Sequence, residues 1–225
     1  VVEKIPLFLF TIGLSIVTFI AQKRFRIEGN YTEHLTFPAR FINAMVSYLE
    51  YLKKMIYPEN LAFFYPHPGD TTWKGILCGM TLVGITIISI RLIRKAPYVA
   101  VGWFWYLGTL LPVIGIVQVG GQAMADRYMY IPLIGIFIII AWGVPELISK
   151  WRYKEKVLSI SAGIIIPILL VTTWGQVSHW KNSIAIFKHA IRVTDKKHPN
   201  FAIAYNNLGT ALFAEKKNEE AISNY

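Results

Sequence analysis

Asp126-Arg127-Tyr128-Met129-Tyr130-Ile131-Pro132 carries the chain's only charges between Lys95 and Glu146, and it follows a stretch, residues 96–125, that holds no Asp, Glu, Lys or Arg. A charged pair beside so long an apolar run is costly unless it is paired or wet, which makes it a candidate site. Arg127 is the best phosphate ligand in the sequence. Its planar fork suits a lipid-linked phosphate or pyrophosphate; Asp126 can orient it, and Tyr128 or Tyr130 can donate a hydrogen bond. The same residues also fit an architectural role, in which the Asp-Arg pair fixes a turn and the tyrosines belong to an aromatic belt.

A second candidate lies in Leu61-Ala62-Phe63-Phe64-Tyr65-Pro66-His67-Pro68-Gly69-Asp70. Two prolines and a glycine forbid a regular helix there and hold His67 and Asp70 on a stiff aromatic loop. Such a loop suits substrate contact, and a His between prolines equally suits plain exposure to solvent. His67 and Asp70 stand i and i+3 across a turn, a spacing open to metal ligands. A third ligand is lacking nearby, so no zinc site is expected. The single Cys78 excludes an intrachain disulfide. Ser-His-Asp, Cys-His, Walker and Rossmann patterns are absent, which leaves hydrolase, ATPase and dehydrogenase chemistry without residues. No pattern indicates a cofactor; a divalent metal is left open.

The elements that must position these residues are apolar. Of 225 residues 54% are hydrophobic and only 16% charged, against roughly 25% charged in soluble domains. The composition argues against a soluble single-domain enzyme. Residues 5–22, 75–90, 96–125, 128–145 and 157–180 contain no charged side chain. About 20 apolar helical residues cross a bilayer core of roughly 30 Å, so the blocks predict five spans, at about 5–22, 75–93, 99–119, 128–148 and 157–177. The 75–90 block is short, but Lys74 and Arg91 can snorkel to the interfaces. The third block is longer than one span needs, and Pro112, Gly115 and Gly120-Gly121 predict that its helix breaks near the outer end.

Short basic links carrying Arg91, Arg94 and Lys95, and then Lys150, Arg152, Lys154 and Lys156, belong on the cytoplasmic side by the positive-inside rule. The segment 23–74, the Asp126 turn and everything after about Val177 then lie on the other side. The net charge of +10 is scattered over both faces and partly reports orientation, so it does not indicate nucleic acid. After Pro38, Phe41, Met45, Leu49, Leu52 and Ile56 recur at helical spacing with polar residues between them, predicting an amphipathic helix over about 39–57. Either it lies in the external interface, where it could guide a lipid-borne substrate, or it packs against the spans.

From about 179 onward the composition is that of a soluble helical module. Tyr205, Leu208, Gly209, Ala221 and Tyr225 stand at the spacing of a tetratricopeptide repeat, where small Gly209 and Ala221 let two helices approach while Leu208 and Tyr225 fill the space between. Residues 181–194 read as the second helix of a preceding repeat, with Ile184, Phe187 and Ile191 inward. Such repeats need neighbours, and the chain is expected to be a piece of a longer protein.

The fold class expected is therefore all-α: a polytopic membrane helix bundle over 1–178, followed by a tetratricopeptide hairpin begun in 179–225. Leu111-Pro112, the stretch Ala125 to Pro132, the Pro-rich aromatic loop and the repeat together resemble the transmembrane and tetratricopeptide-repeat-containing O-mannosyltransferases and their bacterial relatives. The resemblance implies transfer of a sugar from a polyprenyl-phosphate carrier to protein Ser or Thr outside the cytoplasm, with the repeats binding acceptor or partner. It places the family's catalytic acids in a loop ahead of Val1, so no residue here inherits that role. It implies an integral membrane protein: bacterial inner membrane with periplasmic repeats, preferred because Asn30-Tyr31-Thr32 is the only external glycosylation triplet, or ER membrane with lumenal repeats in a eukaryote. The rival is a non-catalytic membrane-anchored repeat scaffold for envelope or secretion partners.

Overall fold

The computed structural model describes residues 36–58, 61, 65, 72–116, 123–193 and 201–224, together with Gly13 and Val17. Among them the regular elements are all helical: α1 (Phe37–Ile56), α2 (Thr72–Leu92), α3 (Pro97–Leu110), a 3-10 turn (Asp126–Met129), α4 (Pro132–Leu147), α5 (Lys154–Ser178), α6 (Ser183–Val193), α7 (Phe201–Ala214) and α8 (Asn218–Asn224). Apart from Gly13 and Val17, the apolar block at 5–22 lies outside the described residues.

Proline starts several of these helices. Pro38, Pro97 and Pro132 each occupy the first turn of α1, α3 and α4, where a missing N–H costs nothing and the fixed φ suits the helix. Pro112 has the opposite effect. It cannot donate to the helical ladder, and α3 stops at Leu110, after which the chain turns and Gly115 adopts φ +96°. The helix is thus 14 residues long, about 21 Å, and α4 has 16; both are shorter than the blocks at 99–119 and 128–148. Among the described residues, α2 and α5 are the two helices long and apolar enough to cross a membrane.

α1 packs on α2, α2 on α3 and α3 on α4, and α1 also meets α3 through Tyr48. The buried side of α1 is not the aliphatic stripe. Asn43, Ala44, Ser47, Tyr48 and Tyr51 face inward, whereas Phe41 and Ile56, at the ends of the stripe, remain 47% and 78% exposed. Met45, Leu49 and Leu52 sit at the edge, partly covered. Hydrogen bonding explains the choice. The Tyr48 hydroxyl donates to the Leu107 carbonyl at 2.9 Å, and the Tyr106 hydroxyl donates to the Tyr48 carbonyl at 2.6 Å. In apolar surroundings a polar side chain is best placed inside with a partner while aliphatic groups face out. Burial pushes the Tyr48 phenol up to about 12, which keeps it a donor.

The core of this layer is aromatic. Tyr106 of α3 meets Tyr48 edge-on and lies tilted against Trp103, with Ala44, Leu82 and Leu110 in the same cluster, and the Trp103 indole donates to Thr86 on α2 at 2.9 Å. α4 is tied to α3 at both ends, by the Trp105 indole to the Ile131 carbonyl at 2.9 Å and by the Tyr98 hydroxyl to Glu146 at 2.6 Å. α5 differs from all of these: it buries no residue, and from Ile160 to Val177 its isoleucines, leucines and valines are exposed. Such a helix belongs against lipid or other protein, not against water.

α6, α7 and α8 share a second apolar cluster, with Ile184, Leu208, Leu212 and Ala221 buried and Phe187, Ile191 and Ala211 packed around them. α7 and α8 form an antiparallel hairpin whose turn places Lys216 at φ 62°. Gly209 is buried and Tyr205 half-buried. Tyr225 lies outside the described residues.

Candidate functional site

The Asp126 turn is built by three segments that are distant in sequence. Residues 123–125 run extended beside Tyr65, whose N–H donates to the Met124 carbonyl at 3.2 Å and whose carbonyl accepts from the Ala123 N–H at 2.8 Å. From the other side α1 supplies Tyr51. Its hydroxyl accepts from the Ala125 N–H at 3.0 Å and donates to the Ala125 carbonyl at 3.1 Å, so one buried phenol satisfies both backbone groups of the residue before the turn. Asn43 adds a longer contact to the Ala123 carbonyl at 3.4 Å. The chain then closes a single 3-10 turn, with the Tyr128 N–H on the Ala125 carbonyl at 3.0 Å.

On this frame the charged side chains take different positions. Asp126 is half-buried and accepts from the Tyr65 hydroxyl at 2.9 Å. Arg127 is exposed; its guanidinium lies 5.0 Å from the centre of the half-buried Tyr128 ring and reaches that hydroxyl at 3.5 Å. Tyr130 is 80% exposed, beyond the turn. His67 and Asp70, the other candidates of the sequence, lie outside the described residues.

Two further residues complete the cluster, and periodicity alone did not single them out. Tyr65 stands in the Pro-rich aromatic loop, where attention falls first on His67 and Asp70. Lys54, in the last turn of α1, places its ammonium 4.5 Å from the centre of the Tyr65 ring. The available signal was the i, i+3 spacing of Tyr51 and Lys54 on the face of α1 that turns inward. Burial holds the Lys54 ammonium below its ordinary range, while Asp126 and Glu50 act to raise it and Lys53 to lower it further. Burial likewise raises the Tyr51 phenol. Two cations, a carboxylate and three phenols thus meet around one turn.

A second meeting point ties the same loop to the C-terminal helices. The Leu61 carbonyl accepts from Gln176 of α5 at 3.3 Å and from Nε2 of His189 of α6 at 2.9 Å, which places the His189 proton on Nε2. His179 stacks on His189 with ring centres 4.0 Å apart and planes within 10°. Leu61, Gln176, His179, Trp180 and His189 line a shallow cleft there. Among the described residues no three His, Cys, Asp or Glu side chains gather as metal ligands.

Comparison with known proteins finds similarity over part of the chain. A protein O-mannosyl-transferase of Caenorhabditis elegans is 24% identical over 191 residues, 83% of this chain and 26% of that protein. Protein O-mannosyl-transferase Tmtc2 of Drosophila melanogaster is 24% identical over 111 residues, 49% of this chain. Protein O-mannosyl-transferase TMTC3 of Homo sapiens is 29% identical over 102 residues, 45% of this chain. The matched stretch spans only 11% of the fly and human proteins. No family model matches, and no solved structure does. The similarity rests on curated proteins of one kind, and it agrees with the resemblance carried by Ala125 to Pro132. By its sequence this chain is a homologue of part of the TMTC-type protein O-mannosyl-transferases.

Proposed function

We propose that this chain is the carrier-binding and acceptor-facing part of an integral-membrane glycosyltransferase, which moves a sugar from a polyprenyl-phosphate carrier to a Ser or Thr hydroxyl of a protein on the non-cytoplasmic side. The names of the relatives, protein O-mannosyl-transferases, support transferase chemistry of this kind. The observation that carries the reading is Arg127: an exposed guanidinium on a turn that Tyr51 and Tyr65 hold in place. Pinned geometry with an outward cation suits recognition of an anion that arrives from outside the fold.

The reaction inverts at the anomeric carbon. An acidic residue, placed by the family resemblance in a loop ahead of Val1, takes the hydroxyl proton as the acceptor oxygen forms its bond to the sugar. The bond from that carbon to the phosphate oxygen breaks, and its electron pair leaves with the lipid phosphate, whose growing charge Arg127 stabilises. Asp126 keeps the arginine oriented, and Tyr128 supports its plane. α6, α7 and α8 begin a tetratricopeptide array that holds acceptor or partner polypeptide.

Arg127→Ala in the full-length protein tests this. Transfer is expected to fall on the order of 100-fold with membrane insertion unchanged; full activity would take the turn out of the site. The scaffold alternative has one observation in its favour, the separate apolar cluster of α6 to α8, and it requires protein capture through the repeats without any sugar transfer.

A further inference from the structure

The two short basic links lie together at one end of the bundle. Arg91, Arg94 and Lys95 close α2 and lead into α3, and all three are exposed. Lys150, Arg152, Lys154 and Lys156 lead from α4 into the first turn of α5, and they too are exposed. The Tyr98 hydroxyl, at the start of α3, donates to Glu146 near the end of α4 at 2.6 Å, which brings the two links to the same face. Backbone hydrogen bonds close both, with the Lys95 N–H on the Leu92 carbonyl and the Trp151 N–H on the Ile148 carbonyl, each at 2.9 Å. The charges therefore sit on short turns of fixed shape. Against these seven cations the same stretches hold two carboxylates, Glu146 and Glu155, and none of the seven forms an ion pair among the described residues.

This placement is unfavourable for the chain alone. Lys154 and Lys156 fall in the first turn of α5, which has no side-chain cap, and the positive end of a helix disfavours cations there. Tyr153 gathers two charges further, its ring centre 5.9 Å from both the Arg152 guanidinium and the Lys156 ammonium. An anion from outside the chain offsets such a concentration of one sign. Its chemistry follows from the neighbours. α2, which ends at this face, and α5, which starts from it, are the two described helices long and apolar enough to cross a membrane, so a bilayer that takes them in brings its headgroup layer to the links. Leu147, Trp151 and Tyr153 stand exposed among the cations, a mixture of apolar, aromatic and basic side chains that suits that layer.

We propose that this end of the bundle is a binding surface for anionic phospholipid, with the headgroup phosphates held by the two basic links and Trp151 and Tyr153 seated in the interface. The inference rests on α2 and α5 as spans and is independent of the Asp126 turn. A zwitterionic headgroup balances its phosphate with its own ammonium, whereas an anionic one does not, so the surface selects lipids by net charge.

The test is lipid selectivity of the full-length protein in phosphatidylcholine bilayers, measured as the immobilised fraction of spin-labelled phosphatidylglycerol against that of spin-labelled phosphatidylcholine. Both labels enter both leaflets, so the reading is the same whichever way the chain is inserted. A cation at an anionic headgroup contributes about fivefold to its retention. The unaltered protein is expected to prefer phosphatidylglycerol by about that factor or more at low salt, and to lose most of the preference in about 1 M salt, where charges are screened within about 3 Å. Replacing Arg152, Lys154 and Lys156 together by Gln should cut the preference by about fivefold or more, while Arg152→Lys with Lys154→Arg and Lys156→Arg should keep it. Lys181→Gln with Lys188→Gln, beyond the far end of α5, should leave it unchanged. No preference in the unaltered protein overturns the proposal. An equal loss in the Lys181 and Lys188 variant overturns it in favour of diffuse net charge, and an equal loss in the charge-keeping triple variant overturns it in favour of packing. Release of phosphatidylglycerol by soluble glycerol phosphate overturns the lipid assignment and makes the face a small-anion site. Immobilisation of neither label overturns the surface together with the spans, and the Arg127→Ala result remains a separate test of the turn.

Discussion

Gly102 and Gly135 meet backbone to backbone where α3 crosses α4. A Cβ on either would run into the other's carbonyl oxygen, and one on Gly102 would also stand 2.6 Å from Ile139 Cγ1. Small residues let helices approach this closely. Gly102→Val or Gly135→Val is therefore expected to destabilise the bundle by about 1–3 kcal/mol, read as a lowered melting temperature in detergent. Gly108 is the control on the same helix: its Cβ would meet nothing within 4 Å, so Gly108→Ala should leave stability unchanged or slightly raised. An equal loss at Gly108 would show that the close crossing is not what limits stability.

Tyr51 holds both backbone groups of Ala125 with one hydroxyl. Tyr51→Phe keeps the ring and leaves a buried N–H and a buried carbonyl without that partner, at a cost of about 1–3 kcal/mol. The loss should be local to the turn. Hydrogen exchange is expected to quicken at Ala125 and Tyr128 while the helical amides of α3 keep their protection; uniform quickening would point to global unfolding instead.

His179, stacked on His189, makes the α5–α6 joint sensitive to acid. Burial first, then His189 and Arg192, hold the His179 imidazole below its ordinary value of 6.5. The fold therefore favours the neutral ring. Stability is unaffected above about pH 6.5, where the ring is neutral folded or unfolded, and it is lost as pH falls from there toward the lower folded value. Protection of the α6 amides should drop between pH 7.5 and 5.5, and His179→Gln should flatten that drop. An unchanged drop in His179→Gln would locate the acid response elsewhere.

Lys216 closes the α7–α8 turn at φ 62°, with the Lys216 N–H on the Phe213 carbonyl at 2.9 Å and the Lys217 N–H on the Leu212 carbonyl at 3.0 Å. A residue with a Cβ is strained there, and glycine is not. Lys216→Gly is expected to stabilise the hairpin by up to about 1 kcal/mol, once the greater freedom of the unfolded glycine is subtracted. Thermal unfolding followed by circular dichroism reads it; destabilisation would mean that the lysine side chain contributes more than its backbone strain costs.

Much of this molecule is written locally. The uncharged blocks and their helical spacing set out the all-helical fold; Pro38, Pro97 and Pro132 mark helix starts, and Pro112 marks where α3 must stop, because each acts through its own backbone. The isolation of Asp126 and Arg127 among apolar residues is equally local, and so is their candidacy for chemistry.

What the chain does with these pieces was decided by contacts between distant segments. Periodicity names the faces of α1 but not the one that goes inward. Hydrogen bonding chose the side with Tyr48 and Tyr51, because carbonyls of Leu107 and Ala125 awaited donors in an apolar interior. Asp126 acquired Tyr65 across 61 residues, and Leu61 acquired His189 across 128. Lys54 entered the site only because α1 and the turn share Tyr65. A sequence states which groups are able to pair; only packing, by removing water from some of them, determines which pairs must form.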